Sequence, residues 1–249
     1  PKPGEPAVNH RNTPLTAGLY LVATPIGSDR DITLRSLDIL ASCDLIVAED
    51  TRTARKLLDI HGVPLNGRRM IAYHDHSGDN SVQGIVKLIA EGKSVAYVSE
   101  AGTPLVADPG FELGREVIAQ GLTVTAAPGA SAVLAALTVS GLPTDRFMFA
   151  GFLPAARAQR QTEIAALRDM PLTMIFYESP KRIQEMLEDL REILGGSRDV
   201  AVCRELTKKF EEVTRGTLDE VIDAYDGRSV KGELVVLVGR AGATDVEEM

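Results

Sequence analysis

A series of short apolar runs limits what this chain can fold into more than any other feature of its sequence. In the first half of the chain these runs occupy residues 19–23, 45–48, 94–98 and 122–126. Apolar runs of this length, without polar alternation, are typical of strands buried on both faces, as in a parallel sheet. Each run is far shorter than the roughly 20 apolar residues of a membrane-spanning helix. We therefore predict a globular protein with these strands at its centre.

Helical patterns lie between the apolar runs. Leu34, Leu37 and Leu40 follow one another at steps of three residues, and residues 82–89 carry apolar side chains on one helical face. A third helix is predicted to end at Gly121, because glycine commonly follows the last helical turn. Strands that alternate with amphipathic helices at these intervals are typical of a layered α/β domain.

A turn at residues 128–131 (PGAS) interrupts this rhythm and is a candidate domain boundary. Beyond it, further apolar runs occupy residues 147–150, 174–177, 200–202 and 234–238. Helices are predicted after Pro180 and after Thr217, where Glu220 completes a capping box. The fold class is therefore α/β, with antiparallel pairing possible in the second half. The predicted segments are a tail at 1–16, an N-terminal α/β domain at 17–127, a C-terminal α/β domain at 128–240 and a tail at 241–249.

The charge of the chain restricts its partners. A net charge of −8 argues against a protein that coats nucleic acid nonspecifically, because such binding needs a basic surface. An enzyme that acts on one RNA site can still gather its lysines and arginines locally. No apolar signal core is visible near the N-terminus, so we expect a cytoplasmic location. In that compartment Cys43 and Cys203 are expected to be reduced thiols rather than a disulfide.

Three loops follow predicted strands and are rich in small residues. They comprise residues 24–27 (TPIG), 99–110 (SEAGTPLVADPG) and 128–132 (PGASA). Ligands of open α/β sheets usually bind at such strand ends, where the backbone can approach them closely. None of the three is a glycine-rich phosphate loop, which argues against a nucleotide hydrolase. Any one loop alone is more simply an ordinary tight turn, but three in spaced order favour a ligand site.

These loops belong to a longer set of motifs that resembles one known family. The motifs occupy residues 18–27, 31–37, 48–52, 73–76, 99–104, 108–110, 141–147, 151–154, 176–182, 204–209 and 232–233. In this order they resemble the 16S rRNA (cytidine-2′-O)-methyltransferase family of the tetrapyrrole methylase superfamily. The resemblance covers residues 18–238. Two departures concern the ligand loops: Ser28-Asp29 replaces the usual Asn-Leu, and Glu100 replaces the usual aspartate.

The resemblance implies two α/β domains with S-adenosylmethionine in the cleft between them, and a homodimer. It also implies that the cofactor is bound by matching positions: Ile26, Ala101, Gly102, Thr103, Val106, Ser131, Ala132, Tyr177, Glu178 and Leu206. From composition alone, Ile26, Val106 and Leu206 are more simply explained by core packing.

The implied reaction moves a methyl group to a ribose 2′-oxygen of small-subunit 16S ribosomal RNA. A carboxylate or a neutral lysine near the hydroxyl would assist as general base. The catalytic candidates at the motif ends are Asp50, Glu178, Arg204, Glu205 and Lys208. The candidates for phosphate contacts are Arg52, Lys181, Arg182 and Lys209. For any single one of these charged residues, a solvated surface position is the simpler explanation.

A metal site is considered at His74 and His76, because alternate residues of a strand face the same way. No third ligand lies near them in the sequence, and we predict no metal. Two other functions remain open. One is methylation of a tetrapyrrole or corrin precursor, and the other is a non-catalytic RNA-binding assembly module.

Overall fold

A computed structural model describes residues 9–73 and 78–242 of the chain. The chain divides into two compact units, residues 1–131 and 132–249, which we call the first and the second unit. Within the described residues, no helix is long and apolar enough to cross a membrane.

The first unit alternates strands and helices from Gly18 to Ala127. Its elements are β1 (Gly18–Val22), α1 (Leu34–Ser42), β2 (Leu45–Ala48), α2 (Thr51–Ile60), β3 (Arg69–Ala72), α3 (Gly78–Ala90), β4 (Ser94–Val98), α4 (Phe111–Ala119) and β5 (Val124–Ala127). The strands form one sheet in the order β3-β2-β4-β1-β5, and every pairing is parallel.

The two faces of this sheet are covered by different helices. One apolar cluster joins Leu37 and Leu40 of α1 and Leu58 of α2 to the sheet. The other joins Ile85 of α3 and Val117 of α4 to the opposite face. Strands β2 and β4 are buried at every residue, which explains why their sequences are continuous apolar runs.

Over residues 132–242, the second unit combines a mixed sheet with four helices. Its elements are α5 (Ala132–Ser140), β6 (Phe147–Phe152), α6 (Arg157–Leu167), β7 (Thr173–Glu178), α7 (Ile183–Leu194), β8 (Asp199–Arg204), β9 (Glu212–Thr217), α8 (Leu218–Tyr225) and β10 (Leu234–Val238). The sheet order is β6-β7-β10-β8-β9. Strands β6 and β7 are parallel, whereas β10 is antiparallel to β7 and β8, and β8 is antiparallel to β9.

The core of the second unit lies between one face of this sheet and helices α6, α7 and α8. Phe176 and Val236 of the sheet pack there with Leu187 of α7 and Tyr225 of α8. Helix α5 contacts β8, β9 and β10. The side chain of Arg215 in β9 donates to the carbonyl of Val139 in α5, at 2.6 Å from Nη2.

The predicted fold class, two α/β domains, is confirmed, and so is the antiparallel pairing in the second half. The sequence patterns did not reveal β3, β9, α2, α5 and α6. Strand β3 is an edge strand with half-exposed and exposed residues, so it lacks the apolar run of a central strand. Helix α5 is apolar on all sides, which conceals helical periodicity.

The predicted capping box of α8 is present. The side chain of Thr217 accepts a hydrogen bond from the Glu220 backbone N–H, and the Glu220 carboxylate accepts from the Thr217 N–H. We expect Thr217→Ala to lower the free energy of unfolding by about 1 kcal/mol, because a helix N–H loses its partner. Urea unfolding followed by circular dichroism measures this, with Thr217→Ser as the variant that retains stability. Equal stability of the alanine and serine variants would contradict the role of the cap.

Both cysteines are free and fully buried. Burial raises the pKa of Cys43 to about 11 and that of Cys203 to about 12. Because the thiolate is the reactive form, we expect neither thiol of the folded protein to react with Ellman's reagent at pH 8 in the time that labels both in urea. Rapid labelling of either thiol in the native protein would contradict this assignment.

Candidate functional site

The strand-end loops of the first unit lie at one edge of its sheet. All five strands are parallel, so their carboxyl ends meet at this edge. After β1 the chain runs to α1 on one face, and after β4 it runs to α4 on the other face. Because β1 and β4 are neighbours, the sheet has a topological switch point between them, which is where open α/β sheets bind ligands.

Three loops are joined to one another at this switch point. The backbone of Thr24 pairs with that of Gly102 through two hydrogen bonds, of 3.0 and 3.1 Å. The Thr103 hydroxyl donates to the carbonyl of Ala130 at 2.9 Å. The structure thus brings the three loops predicted from the sequence into direct contact.

Glycine is required where these loops approach most closely. A Cβ on Gly129 would lie 2.9 Å from the Cβ of Ala23, closer than such atoms come in proteins. Gly102 has a φ of +78°, and a Cβ there would lie 3.2 Å from Cγ2 of Ile26. The two glycines therefore let the side chains of Ala23 and Ile26 approach the loop backbone at points where a Cβ would collide with them.

The second loop also contains strained backbone. Leu105 and Ala107 have φ values of 69° and 57°, which side chains rarely adopt. Gly110 has a φ of +109°, and a Cβ there would lie 2.8 Å from the ring of Tyr97. The Tyr97 hydroxyl donates to the carbonyl of Pro109 at 2.7 Å. Such conformations cluster at ligand sites, where the surrounding structure holds them in place.

The predicted cofactor positions of the first unit belong to these loops. Ile26 is half-buried and Val106 is 36 % exposed, so neither is a residue of the closed core. Ala101 is exposed, Gly102 is buried and Thr103 is half-buried. Ser131 is the last residue of the first unit.

One residue at this edge was missed by the sequence analysis. The Thr24 side chain is buried, and within residues 9–73 and 78–242 its hydroxyl has no hydrogen-bond partner. The available signal was a hydroxyl residue directly after a wholly apolar strand. An unpaired buried hydroxyl beside close-packed glycine loops fits a ligand with polar groups, as S-adenosylmethionine has.

Acidic residues lie beside these loops, after β2. Asp50 is the N-cap of α2, and its Oδ1 accepts from the backbone N–H of Arg52 at 2.7 Å. Hydrogen bonds from the Arg52 side chain, and then from the backbone of Arg52 and Thr53, lower the pKa of Asp50. Glu49 Oε2 accepts from the backbone N–H of Glu100 at 2.9 Å. Asp50 is thus held as a carboxylate in a structural capping role, which makes it a weak proton acceptor.

The motifs of the second unit also meet at one sheet edge. Strands β7 and β8 are both antiparallel to β10 and hence parallel to each other, and β6 is parallel to β7. The last residues of these three strands, Phe152, Glu178 and Arg204, therefore lie at the same edge. One row of paired residues there runs from Glu178 through Leu234 and Arg204 to Glu212.

Glu178 is the most enclosed acidic residue at this edge. It is 3 % exposed, and its Oε1 accepts from the Ser179 N–H at 2.6 Å and from Arg182 Nε at 2.9 Å. Its Oε2 is buried and has no hydrogen-bond partner among the described residues. Arg182 is thereby committed to Glu178 rather than directed to solvent. A buried carboxylate oxygen of this kind is positioned to accept a proton or a hydrogen bond.

Lys208 is held between two carboxylates. Its Nζ lies 3.1 Å from Oε1 of Glu205 and 2.7 Å from Oε2 of Glu233. Partial burial acts to lower the pKa of Lys208, but these ion pairs raise it overall. Burial acts to raise the pKa of Glu205, but the hydrogen bond from the Glu233 N–H and the Lys208 ammonium lower it overall. Lys208 is therefore held as a cation, whereas a general base at this position would have to be the neutral amine.

Other predicted residues of the second unit have varied surroundings. Leu206 is 8 % exposed, in line with core packing. Ala132 is the first residue of α5. Tyr177 is half-buried and its ring packs at 4.7 Å against Phe149 and at 5.7 Å against Phe152, centroid to centroid. Arg204 pairs with Glu212 at 3.1 Å, so it helps to order this edge.

The predicted phosphate contacts differ in exposure. The side chain of Arg52 is 91 % exposed although it pairs with Asp50. Lys181 and Lys209 are exposed, and the Lys209 ammonium lies 5.5 Å from the ring centre of exposed Phe210. These three cations are accessible to an anionic partner, whereas Arg182 is engaged.

The two histidines considered for a metal site, His74 and His76, lie outside the described residues. In the part of the chain that the structure describes, no group of three or more histidine, cysteine, aspartate or glutamate residues is arranged to hold a metal ion.

Solved structures resemble this fold at low sequence identity. A diphthine synthase superposes with a TM-score of 0.67 at 16 % identity, and each chain is covered to 89 %. The methyltransferase CobJ superposes with a TM-score of 0.65 at 21 % identity, over 93 % of this chain and 97 % of the other. At these identities the likeness establishes the fold alone.

Sequence comparisons are more specific. Residues 18–222 match the family of tetrapyrrole (corrin/porphyrin) methylases. Over 231 residues the chain is 51 % identical to the ribosomal RNA small subunit methyltransferase I of Mesorhizobium japonicum, covering 92 % of this chain and 78 % of the relative. The protein of that name from Bacillus subtilis is 41 % identical over 230 residues, covering 92 % and 77 %. The chain therefore belongs to the tetrapyrrole methylase family and, within it, to the ribosomal RNA small subunit methyltransferase I group.

Proposed function

We propose that this chain methylates the 2′-oxygen of a cytidine ribose in 16S ribosomal RNA, with S-adenosylmethionine as methyl donor. The observation that carries the proposal is the 51 % identity, over nine-tenths of the chain, to a ribosomal RNA small subunit methyltransferase I. The joined loops at the switch point of the first sheet support a ligand site in the same chain.

In this proposal the loops of the first unit bind the cofactor through Ile26, Ala101, Gly102, Thr103, Val106 and Ser131. Small residues at strand ends let the loop backbone approach a ligand closely. When bound, S-adenosylmethionine supplies a methyl group on an electrophilic sulfonium. Tyr177, Glu178, Leu206 and Ala132 of the second unit remain predicted contacts on the strength of the family resemblance.

Glu178 is our candidate for the general base. A ribose hydroxyl is a weak nucleophile until its proton is removed. Among the four candidate bases, Asp50 and Glu205 have lowered pKa values and Lys208 is held as a cation. Glu178 keeps a buried carboxylate oxygen without a partner among the described residues, while Arg182 and the Ser179 N–H hold its other oxygen.

Arg52, Lys181 and Lys209 are proposed to contact RNA phosphates, because they present exposed positive charge on a chain with a net charge of −8. Arg182 is proposed to position Glu178 through their ion pair. Arg204 is proposed to order the same sheet edge of the second unit through its ion pair with Glu212. We further propose that the protein works as a homodimer in the cytoplasm, which light scattering on the purified protein and localisation in cells would test.

The test is methyl transfer from labelled S-adenosylmethionine to defined acceptors. Small ribosomal subunits from cells that lack this protein are compared with free 16S RNA and with a corrin precursor. We expect label in ribosomal RNA at the 2′-oxygen of a cytidine, mapped by the resistance of the following phosphodiester to alkali. Label in the corrin precursor alone would replace the RNA assignment, and no label with any acceptor would refute it.

A further inference from the structure

The Thr24 hydroxyl is a buried polar group that the fold of the first unit leaves unpaired. Thr24 is 3 % exposed, and its Oγ1 has no partner among residues 9–73 and 78–242. By contrast, the hydroxyl of Thr173, which is fully buried, donates to the Pro143 carbonyl at 2.6 Å. An unpaired group at this depth costs stability, which calls for an explanation.

The direction of this hydroxyl is set by the chain itself. Two hydrogen bonds to Gly102 hold the Thr24 backbone, and the following Pro25 restricts it to extended conformations. A β-branched side chain on such a backbone has few rotamers. The hydroxyl is therefore oriented before any ligand arrives, which lowers the entropy cost of a contact.

The position of Thr24 points to a ligand rather than to a packing defect. Thr24 lies two residues after the end of β1, at the switch point of the sheet, where its backbone pairs with Gly102 of the second loop. Next to it, Gly102 has a φ of +78° and Thr103 bonds the third loop. The unpaired hydroxyl thus lies at the junction of the loops that are proposed to hold the cofactor.

We infer that Thr24 is a cofactor-binding residue, whose hydroxyl donates a hydrogen bond to an oxygen of S-adenosylmethionine. The inference rests on the proposed function and adds to it a second contact from the first loop, beside Ile26. The hydroxyl gains a hydrogen-bond acceptor when the ligand binds. The unfavourable free energy of burying it unpaired is therefore present in the free protein and absent from the complex.

The experiment combines two measurements on the 249-residue chain. Isothermal titration gives the Kd for S-adenosylmethionine, and thermal unfolding without ligand gives the Tm. The test variant is Thr24→Val, which has the same shape without the hydroxyl. Thr24→Ser keeps the hydroxyl, and Thr173→Val is the matched control that removes a buried hydroxyl already paired within the protein.

We expect Thr24→Val to raise the Kd about tenfold, the effect of one good hydrogen bond, with a Tm equal to or above that of the parent. Thr24→Ser restores binding to within about threefold. Thr173→Val lowers the Tm and leaves the Kd unchanged. Thr24→Val binding as tightly as the parent would overturn the inference alone, and so would a Tm loss like that of Thr173→Val. A parent protein that does not bind S-adenosylmethionine would refute the proposed function as well.

Discussion

Replacing Asp189 with leucine will lower the free energy of unfolding of the second unit by about 3–5 kcal/mol, because it removes the buried carboxylate that pairs with a buried guanidinium. Asp189 and Arg160 are each 1 % exposed, and Arg160 Nε donates to Asp189 Oδ2 at 2.7 Å. This pair joins α6 to α7. Urea unfolding followed by circular dichroism measures the loss.

The double variant Arg160→Met, Asp189→Leu distinguishes a broken charge pair from a damaged core. It removes both charges and retains apolar volume, so we expect it to be more stable than Asp189→Leu. Glu188→Leu, at an exposed position of the same helix, serves as the surface control and should be nearly neutral. The single variant Arg160→Met is measured as well. If the double variant is less stable than Asp189→Leu by the whole loss seen in Arg160→Met, the two residues act independently, contrary to this prediction.

The pair also gives the stability of the protein a pH dependence. Burial acts to raise the pKa of Asp189, but hydrogen bonds from Arg160, Arg157 and Gln161 hold it below the ordinary value of 3.8. The contribution of Asp189 is thus fully present above that value and is lost as the pH falls through the lower pKa of the folded state. Below that pH, the stability difference between the parent and Asp189→Leu should become smaller.

Glu178→Gln is expected to lower the rate of methyl transfer about 100-fold, the contribution of a typical general base. The amide has the shape of the carboxylate but cannot accept the proton from the ribose hydroxyl. The Kd for S-adenosylmethionine should stay within about threefold of the parent value, because the amide keeps the shape and a hydrogen-bonding oxygen at this predicted cofactor contact and loses only the capacity to take up a proton. Single-turnover kinetics with saturating RNA, together with titration of the cofactor, measure the two quantities.

Two controls accompany this variant. Glu188→Gln changes an exposed carboxylate that pairs with Gln184 on α7, and it should leave the rate unchanged. The Glu178→Gln substitution also removes the charged partner of Arg182. Thermal unfolding of this variant therefore checks that the lower rate of methyl transfer does not come from a loss of folded protein. An unchanged rate would exclude Glu178 as the base, and a rise in Kd that matches the fall in rate would limit the role of Glu178 to its predicted cofactor contact.

The sequence by itself determined the fold class, most of the central strands and the three strand-end loops. Strands β2 and β4 are buried on both faces, and burial at successive residues demands the continuous apolar runs that were visible in the sequence. The capping box at Thr217 was equally readable, because its hydrogen bonds join residues three apart.

Only the tertiary structure decided which polar groups are paired and which are not. From the sequence, Asp50, Glu178, Glu205 and Lys208 were equivalent candidates for the general base. In the structure Asp50 caps a helix, Glu178 is a buried carboxylate, and Glu205 and Lys208 form an ion pair. Thr24 was invisible for the same reason, since its burial depends on a loop nearly 80 residues away, at Gly102. Burial and hydrogen bonding at these positions arise from residues far apart in the chain, and periodicity within a segment carries no information about them.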